Sequence, residues 1–207
     1  MISNEPLYLR HFSHPIFEEL WKNGIEADDR IRGIEERVDS AVIELVPNPK
    51  EGIARAWSSI RAATEEVSIM FSSENALRRQ ILMGGLQLLK DASEGHGAKV
   101  RLLIPDDADG HKLSTVINEV KLQCPHVAVR SMEKSLRTRI TIVLSDRSEC
   151  TIIELKDDTK DISYVAAALS TYSDSKSIVS SYASIFGSLW KQTELYEQLK
   201  VHDRMQK

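Results

Sequence analysis

Between Ser40 and Cys124 the apolar residues switch repeatedly between strand-like and helix-like spacing, and this alternation restricts the chain to very few folds. Residues 40–46 (SAVIELV) form a compact run with β-branched side chains, closed by Pro47-Asn48-Pro49, and are expected to be a strand. Residues 49–66 carry Ile53, Ala54, Trp57, Ile60 and Ala63 at helical spacing, and residues 67–71 (VSIMF) return to a strand. A long helix is expected to reach Ser93, with Leu77, Ile81, Leu82, Leu86 and Leu89 on its apolar side. Residues 99–104 (KVRLLI) then make a strand stopped by Pro105, and Leu113, Val116, Ile117, Val120 and Leu122 pattern a helix ending near Cys124-Pro125. Strands that alternate with helices in this way form a parallel sheet with helices on its faces.

The second half reads differently. Residues 126–131 (HVAVRS), 140–144 (ITIVL), 150–155 (CTIIEL) and 165–171 (VAAALST) are strand candidates joined by short polar turns, and Asp146-Arg147-Ser148 suits a hairpin. The expected fold is therefore α/β: a mixed sheet, parallel in the first half and antiparallel in the second, flanked by helices.

Both ends depart from this body. Residues 1–38 are charged and carry Phe17, Leu20, Trp21, Ile25, Ile31, Ile34 and Val38 at helical spacing, which marks a helical arm before a body at 39–173. Residues 174–207 contain one glycine, Gly187, and no proline, so a single long helix is expected. Its Ile178, Tyr182, Ile185 and Leu189 step by four, three and four, the spacing of a helix-pairing seam, and Phe186 and Trp190 widen the stripe. This predicts a homodimer through the C-terminal helix. The competing expectation is a terminal helix docked on its own body. The pattern is unfinished at Lys207, with no capping glycine and no proline, so a further domain is expected to follow.

A formal net charge of -4, without a basic stripe, argues against a nucleic-acid binder, and no aromatic residue stands among Lys99, Arg101, Arg137 and Arg139 to stack bases. The two cysteines, Cys124 and Cys150, make neither a metal pair nor a disulfide framework, and the six histidines show no ligand spacing, so no metal and no cofactor are expected. The N-terminus has no uninterrupted apolar run, which argues against a membrane span and for the cytoplasm.

The candidate ligand site lies where the second strand meets its helix. Ser72, Ser73 and Asn75 sit at that junction, where free backbone N–H groups and the helix dipole favour an anion, and Arg78 and Arg79 follow within a turn. Asp106, after the third strand, would be a neighbour. The plainer reading is that Ser73 caps the helix and the arginines face water.

Two resemblances add to this. The element order with A-x-x-x-E-V-x-I-M-F at 62–71, G-A-K-V-R-L-L-I-P at 97–105 and R-I-T-I-V-L-S-D at 139–146 resembles a phospholipase D-like domain. In that family a strand carries a His nucleophile, a Lys two residues on and an Asp five further. Here the corresponding positions hold Arg139, Thr141 and Asp146, so the phosphohistidine route is closed and no catalytic residue is assigned. Arg139 and Asp146 are left as candidates to flank a small-ligand site. The entry at 18–36 (EELWKNGIEADDRIRGIEE) and the exit at 184–207 resemble the segment preceding the catalytic core in archaeal cytoplasmic sensor histidine kinases. That resemblance implies a sensory and dimerisation module whose kinase core follows Lys207. It also implies a possible small-molecule ligand for the body and a response regulator reached only through the parent kinase. The alternatives are a phospholipase D-like phosphodiesterase and a non-catalytic protein-binding scaffold.

Overall fold

The computed structural model describes residues 41–205 apart from 107–110 and 134–135, with side chains left out at 111–114 and 195–205. The chain divides into two units, Met1–Ser40 and Ala41–Lys207, and the helical arm expected at 1–38 lies outside the described residues.

The second unit runs β1 (Ile43–Val46), α1 (Pro49–Ala62), β2 (Glu66–Met70), α2 (Glu74–Leu82), α3 (Gly85–Lys90), a π-helical turn at Asp91–Gly95, β3 (Lys99–Pro105) and α4 (His111–Gln123). It continues with β4 (Ala128–Met132), β5 (Ile140–Ser145), β6 (Glu149–Leu155), α5 (Ser163–Ala166), β7 (Ala167–Ser173) and α6 (Lys176–Met205). Local chemistry sets several boundaries. Asn48 caps α1 by accepting from the Lys50 N–H, with Pro49 in the first turn where no N–H is needed. Ser73 caps α2 by accepting from the Ala76 N–H. The single long helix expected up to Ser93 is instead broken, because Gly84 adopts a left-handed conformation (φ 93°) between α2 and α3.

All strands join one sheet in the order β1-β7-β6-β5-β2-β3-β4. The mixed sheet is as expected, with β2, β3 and β4 parallel and β5, β6 and β7 antiparallel. Two strands depart from the halves expected for them. β1 pairs antiparallel with β7 at the edge, and β4 pairs parallel with β3. In the three-residue connection between β5 and β6, Asp146 and Arg147 both have positive φ (50° and 52°), and the Ser148 N–H donates to the Ser145 carbonyl at 3.0 Å to close the turn.

Each face of the sheet has its own core. On the first, Val67, Ile69, Val100, Leu102 and Ile104 pack against Ile60 of α1, Leu77 of α2, Leu89 of α3 and Val120 of α4. On the second, Met70, Leu103, Met132, Ile142, Leu144 and Cys150 lie beneath Val179 and Phe186 of α6. Tyr182, Ala183, Leu189 and Trp190 pack at the margin of that cluster. The expected pairing seam is therefore split. Tyr182 and Leu189 face the helix's own sheet, Ile178 is half-buried, and Ile185 is 48% exposed. The helical stripe is wider than the two-position seam because it has a sheet to cover. Among the described residues no helix is long and apolar enough to cross a membrane.

Candidate functional site

The junction between β2 and α2 is built from buried polar side chains. Ser72, Ser73, Glu74 and Arg79 are all at most 5% exposed. The Ser73 hydroxyl caps α2 and donates to Asp158 Oδ1 at 2.7 Å. Arg79 Nη2 donates to the same oxygen at 2.9 Å, and Arg137 Nη2 to Asp158 Oδ2 at 2.9 Å. Arg79 Nη1 donates to the carbonyls of Asp158 and Lys160, and Asn75 Nδ2 to the Asp158 carbonyl at 3.4 Å. The anion predicted at this helix N-terminus is thus the protein's own carboxylate, delivered by the loop between β6 and α5. The neighbouring Asp157 turns that loop by accepting from the Thr159 hydroxyl and N–H, and these bonds hold its carboxyl below the usual range.

The predicted site residues separate. Ser73 and Asn75 meet around Asp158, but Arg78 does not join them and pairs with Glu74 one turn back at 3.1 Å. Of the two arginines on α2 it is Arg79 that joins the network, because its position is buried and that of Arg78 faces water. Asp106 lies beyond β3, with its N–H on the Met132 carbonyl of β4. Arg139 and Asp146 cannot flank one site, since they stand at opposite ends of β5. Arg139 Nη2 donates to the carbonyls of Leu155 and Lys156.

Asp146 has a structural task at its own end. Its carboxylate accepts the N–H groups of Thr64 (3.0 Å), Glu65 (2.8 Å) and Glu66 (2.9 Å), fixing the turn that leads into β2. Burial works to raise its pKa, and the hydrogen bonds from Thr64, Glu66 and Glu65 outweigh it and hold the carboxyl below the ordinary range.

At the other end of β5, Thr141 occupies the position the sequence comparison assigned to a catalytic lysine. Its Oγ1 accepts the Ser72 N–H at 3.1 Å and donates to Ser72 Oγ at 3.2 Å. These two residues close one end of a cavity of about 60 Å³ between α1, α2, α5 and the first face of the sheet. Ile60, Phe71, Leu77 and Val143 form much of its wall, with Trp57 and Gln80 also lining it. Trp57 Nε1 donates to Gln80 Oε1 at 2.7 Å, which satisfies the indole. This cavity is not legible in the sequence, because its lining residues are scattered from Ile53 to Ala167 and most read as ordinary core.

The seat of α6 also gathers charge. Arg101 of β3 pairs with Glu66 at 3.2 Å and lies 5.2 Å from the Phe186 ring and 5.6 Å from the Trp190 ring. Arg130 of β4 lies 4.4 Å from the Trp190 ring and donates to the Trp190 carbonyl at 2.8 Å. The helix is thus held by cations under aromatic faces as well as by apolar packing. Beneath it, burial pushes the Cys150 thiol up to about 12.

No family model matches the chain, and no curated protein matches it in sequence. Solved structures do match. Nuc from Salmonella typhimurium, a phospholipase D family member, is 14% identical with a TM-score of 0.55 over 74% of this chain and 96% of that one. NucT from Helicobacter pylori is 14% identical with a TM-score of 0.54 over 73% and 96%. TrmBL2, an archaeal chromatin protein, is 14% identical with a TM-score of 0.50 over 90% of this chain and 67% of that one. Identity this low shows the fold alone, and that fold is phospholipase D-like.

Proposed function

We propose that the chain is the cytoplasmic input and dimerisation module of a two-component sensor histidine kinase, built on a phospholipase D-like body without catalysis of its own. One observation carries the reading: α6 is seated on the sheet through Val179, Phe186 and Trp190, and its backbone continues as one helix to Met205. A helix fixed to a ligand-binding body at one end and running past it at the other is a means of moving a distant partner. Arg139 and Thr141, standing where phospholipase D-like domains have His and Lys, support the non-catalytic part of the reading. A ligand acts on such a device only by binding two seats of α6 unequally. A coupling of about 1–3 kcal/mol would change kinase output about 5- to 150-fold.

The test is a chimaera in which residues 1–207 are joined in helical register to the dimerisation and catalytic core of a sensor histidine kinase. One to four residues are then inserted after Lys207. Each insertion turns the core by about 100° relative to the body. Autophosphorylation that falls and recovers with a period of three to four inserted residues supports the reading. Output that ignores insert length overturns it.

A further inference from the structure

We infer that the cavity between α1, α2, α5 and the first sheet face is a binding site for a small, uncharged, largely apolar molecule that carries one hydrogen-bond acceptor. The inference rests on the sensory reading above for its purpose, but not for its evidence.

Size comes first. On the measure that gives this cavity about 60 Å³, one water needs about 10–15 Å³, so there is room for roughly four to six. That is the space of a single six-membered ring. The wall chemistry excludes most ring-sized molecules in water. Ile60, Phe71, Leu77 and Val143 offer water no partner, so a guest that is largely apolar gains most by entering.

Of the charged residues that line the cavity, Glu154 is exposed to solvent and Arg79 is buried, and it is the state of Arg79 that excludes charge on the guest. Its guanidinium already donates to Asp158 Oδ1 and to the carbonyls of Asp158 and Lys160, so an incoming carboxylate or phosphate would be buried with its counter-ion already committed. An acceptor is demanded by Ser72. Its N–H goes to Thr141 Oγ1 and its oxygen accepts the Thr141 hydroxyl proton, which leaves the Ser72 O–H with no acceptor among the described residues. Ser72 lines the cavity, and a carbonyl or ether oxygen on a guest seated against it would accept that proton.

The test uses three ring-sized probes on the 207-residue chain, by titration calorimetry: acetophenone, benzene and benzoate. Acetophenone is expected to bind one per chain, benzene about three- to tenfold more weakly for want of one hydrogen bond, and benzoate not measurably. Ser72→Ala removes the difference between acetophenone and benzene. Ala56→Leu, which fills the cavity, abolishes both. If Ala56→Leu does not fold, the Ser72→Ala comparison decides alone. Benzoate binding best overturns the uncharged ligand class, and no binding of acetophenone or benzene overturns the site. In the chimaera, periodic kinase output without probe binding leaves the sensory reading standing and the site fallen. Probe binding with output that ignores insert length does the reverse.

Discussion

The Arg79 guanidinium meets the Asp158 carboxylate at 2.9 Å beside the N-terminus of α2, with Arg79 5% exposed. The chain thus supplies from its own loop the anion that this helix end, Ser73 and two arginines were expected to recruit. Asp158 also ties the loop after β6 to α2, one wall of the cavity.

Removing that carboxylate leaves the Arg79 charge buried with only carbonyl partners. Asp158→Ala is expected to cost about 3 kcal/mol, less than a fully buried pair because Asp158 keeps 21% of its side-chain surface. The vacated space, still faced by Ser73, Arg79 and Arg137, should then take an external anion. Sulfate at millimolar concentration should raise the melting temperature of Asp158→Ala by several degrees more than that of the wild type. Equal shifts for both proteins would show that Asp158 does not occupy an anion site.

Asp146 makes a pH-dependent contribution of known sign. Its pKa in the folded protein is depressed, so the stability it supplies is present above the unfolded value of about 3.9 and is lost as pH falls through the folded value. Asp146→Asn keeps the positive φ tolerable and removes only the charge. Denaturant titrations should show the variant weaker by about 1–2 kcal/mol from pH 7 down to pH 5, with the gap closing below about pH 4. A gap that persists unchanged at pH 2 would mean the carboxylate charge is not what holds the Thr64–Glu66 backbone.

The strands of the body were legible because each signals itself by composition: residues 67–71 and 99–104 fall within a residue or two of β2 and β3. The capping role of Ser73 was legible for the same local reason. What could not be read was anything set by pairing at a distance. β1 lies at the far edge against β7, and β4 follows β3, because strand order depends on which crossings the helices allow. The break at Gly84 in the helix expected to reach Ser93 depends on one backbone angle. Arg78 and Arg79 differ in function only by one step around a helix, and the partner that distinguishes them, Asp158, is 79 residues away in sequence from Arg79. The long terminal helix showed the right length, but its stripe is divided between the sheet and the solvent.

That division gives two seam positions opposite behaviours. Ile185 is 48% exposed and lies clear of the second core, so Ile185→Asp should leave the melting temperature within a few degrees of wild type while dissociating a helix-mediated dimer in sedimentation. Leu189 packs on the body, so Leu189→Asp should destabilise the fold itself by about 2–4 kcal/mol. A dimer that survives Ile185→Asp would remove this face of α6 from the interface.

The seat of α6 can be followed through the thiol beneath it. Cys150 is 1% exposed in the second core, and burial holds its pKa near 12, so almost no thiolate exists at pH 8 while the helix is down. Cys124 is equally buried, but it belongs to the first core, with its thiol on the Leu86 carbonyl. Trp190→Ala removes the ring that stacks on Phe186 and covers Arg130 and Arg101. For a half-buried indole the loss is about 2–3 kcal/mol, charged to the closed position of α6 rather than to the sheet. The helix should then lift more often while the first core stays intact. Modification of Cys150 by an aromatic disulfide reagent should accelerate about 10- to 100-fold in Trp190→Ala, with Cys124 unchanged. If both thiols accelerate together, α6 leaves the sheet only when the whole body unfolds, and a helix so bound has no second seat through which to signal.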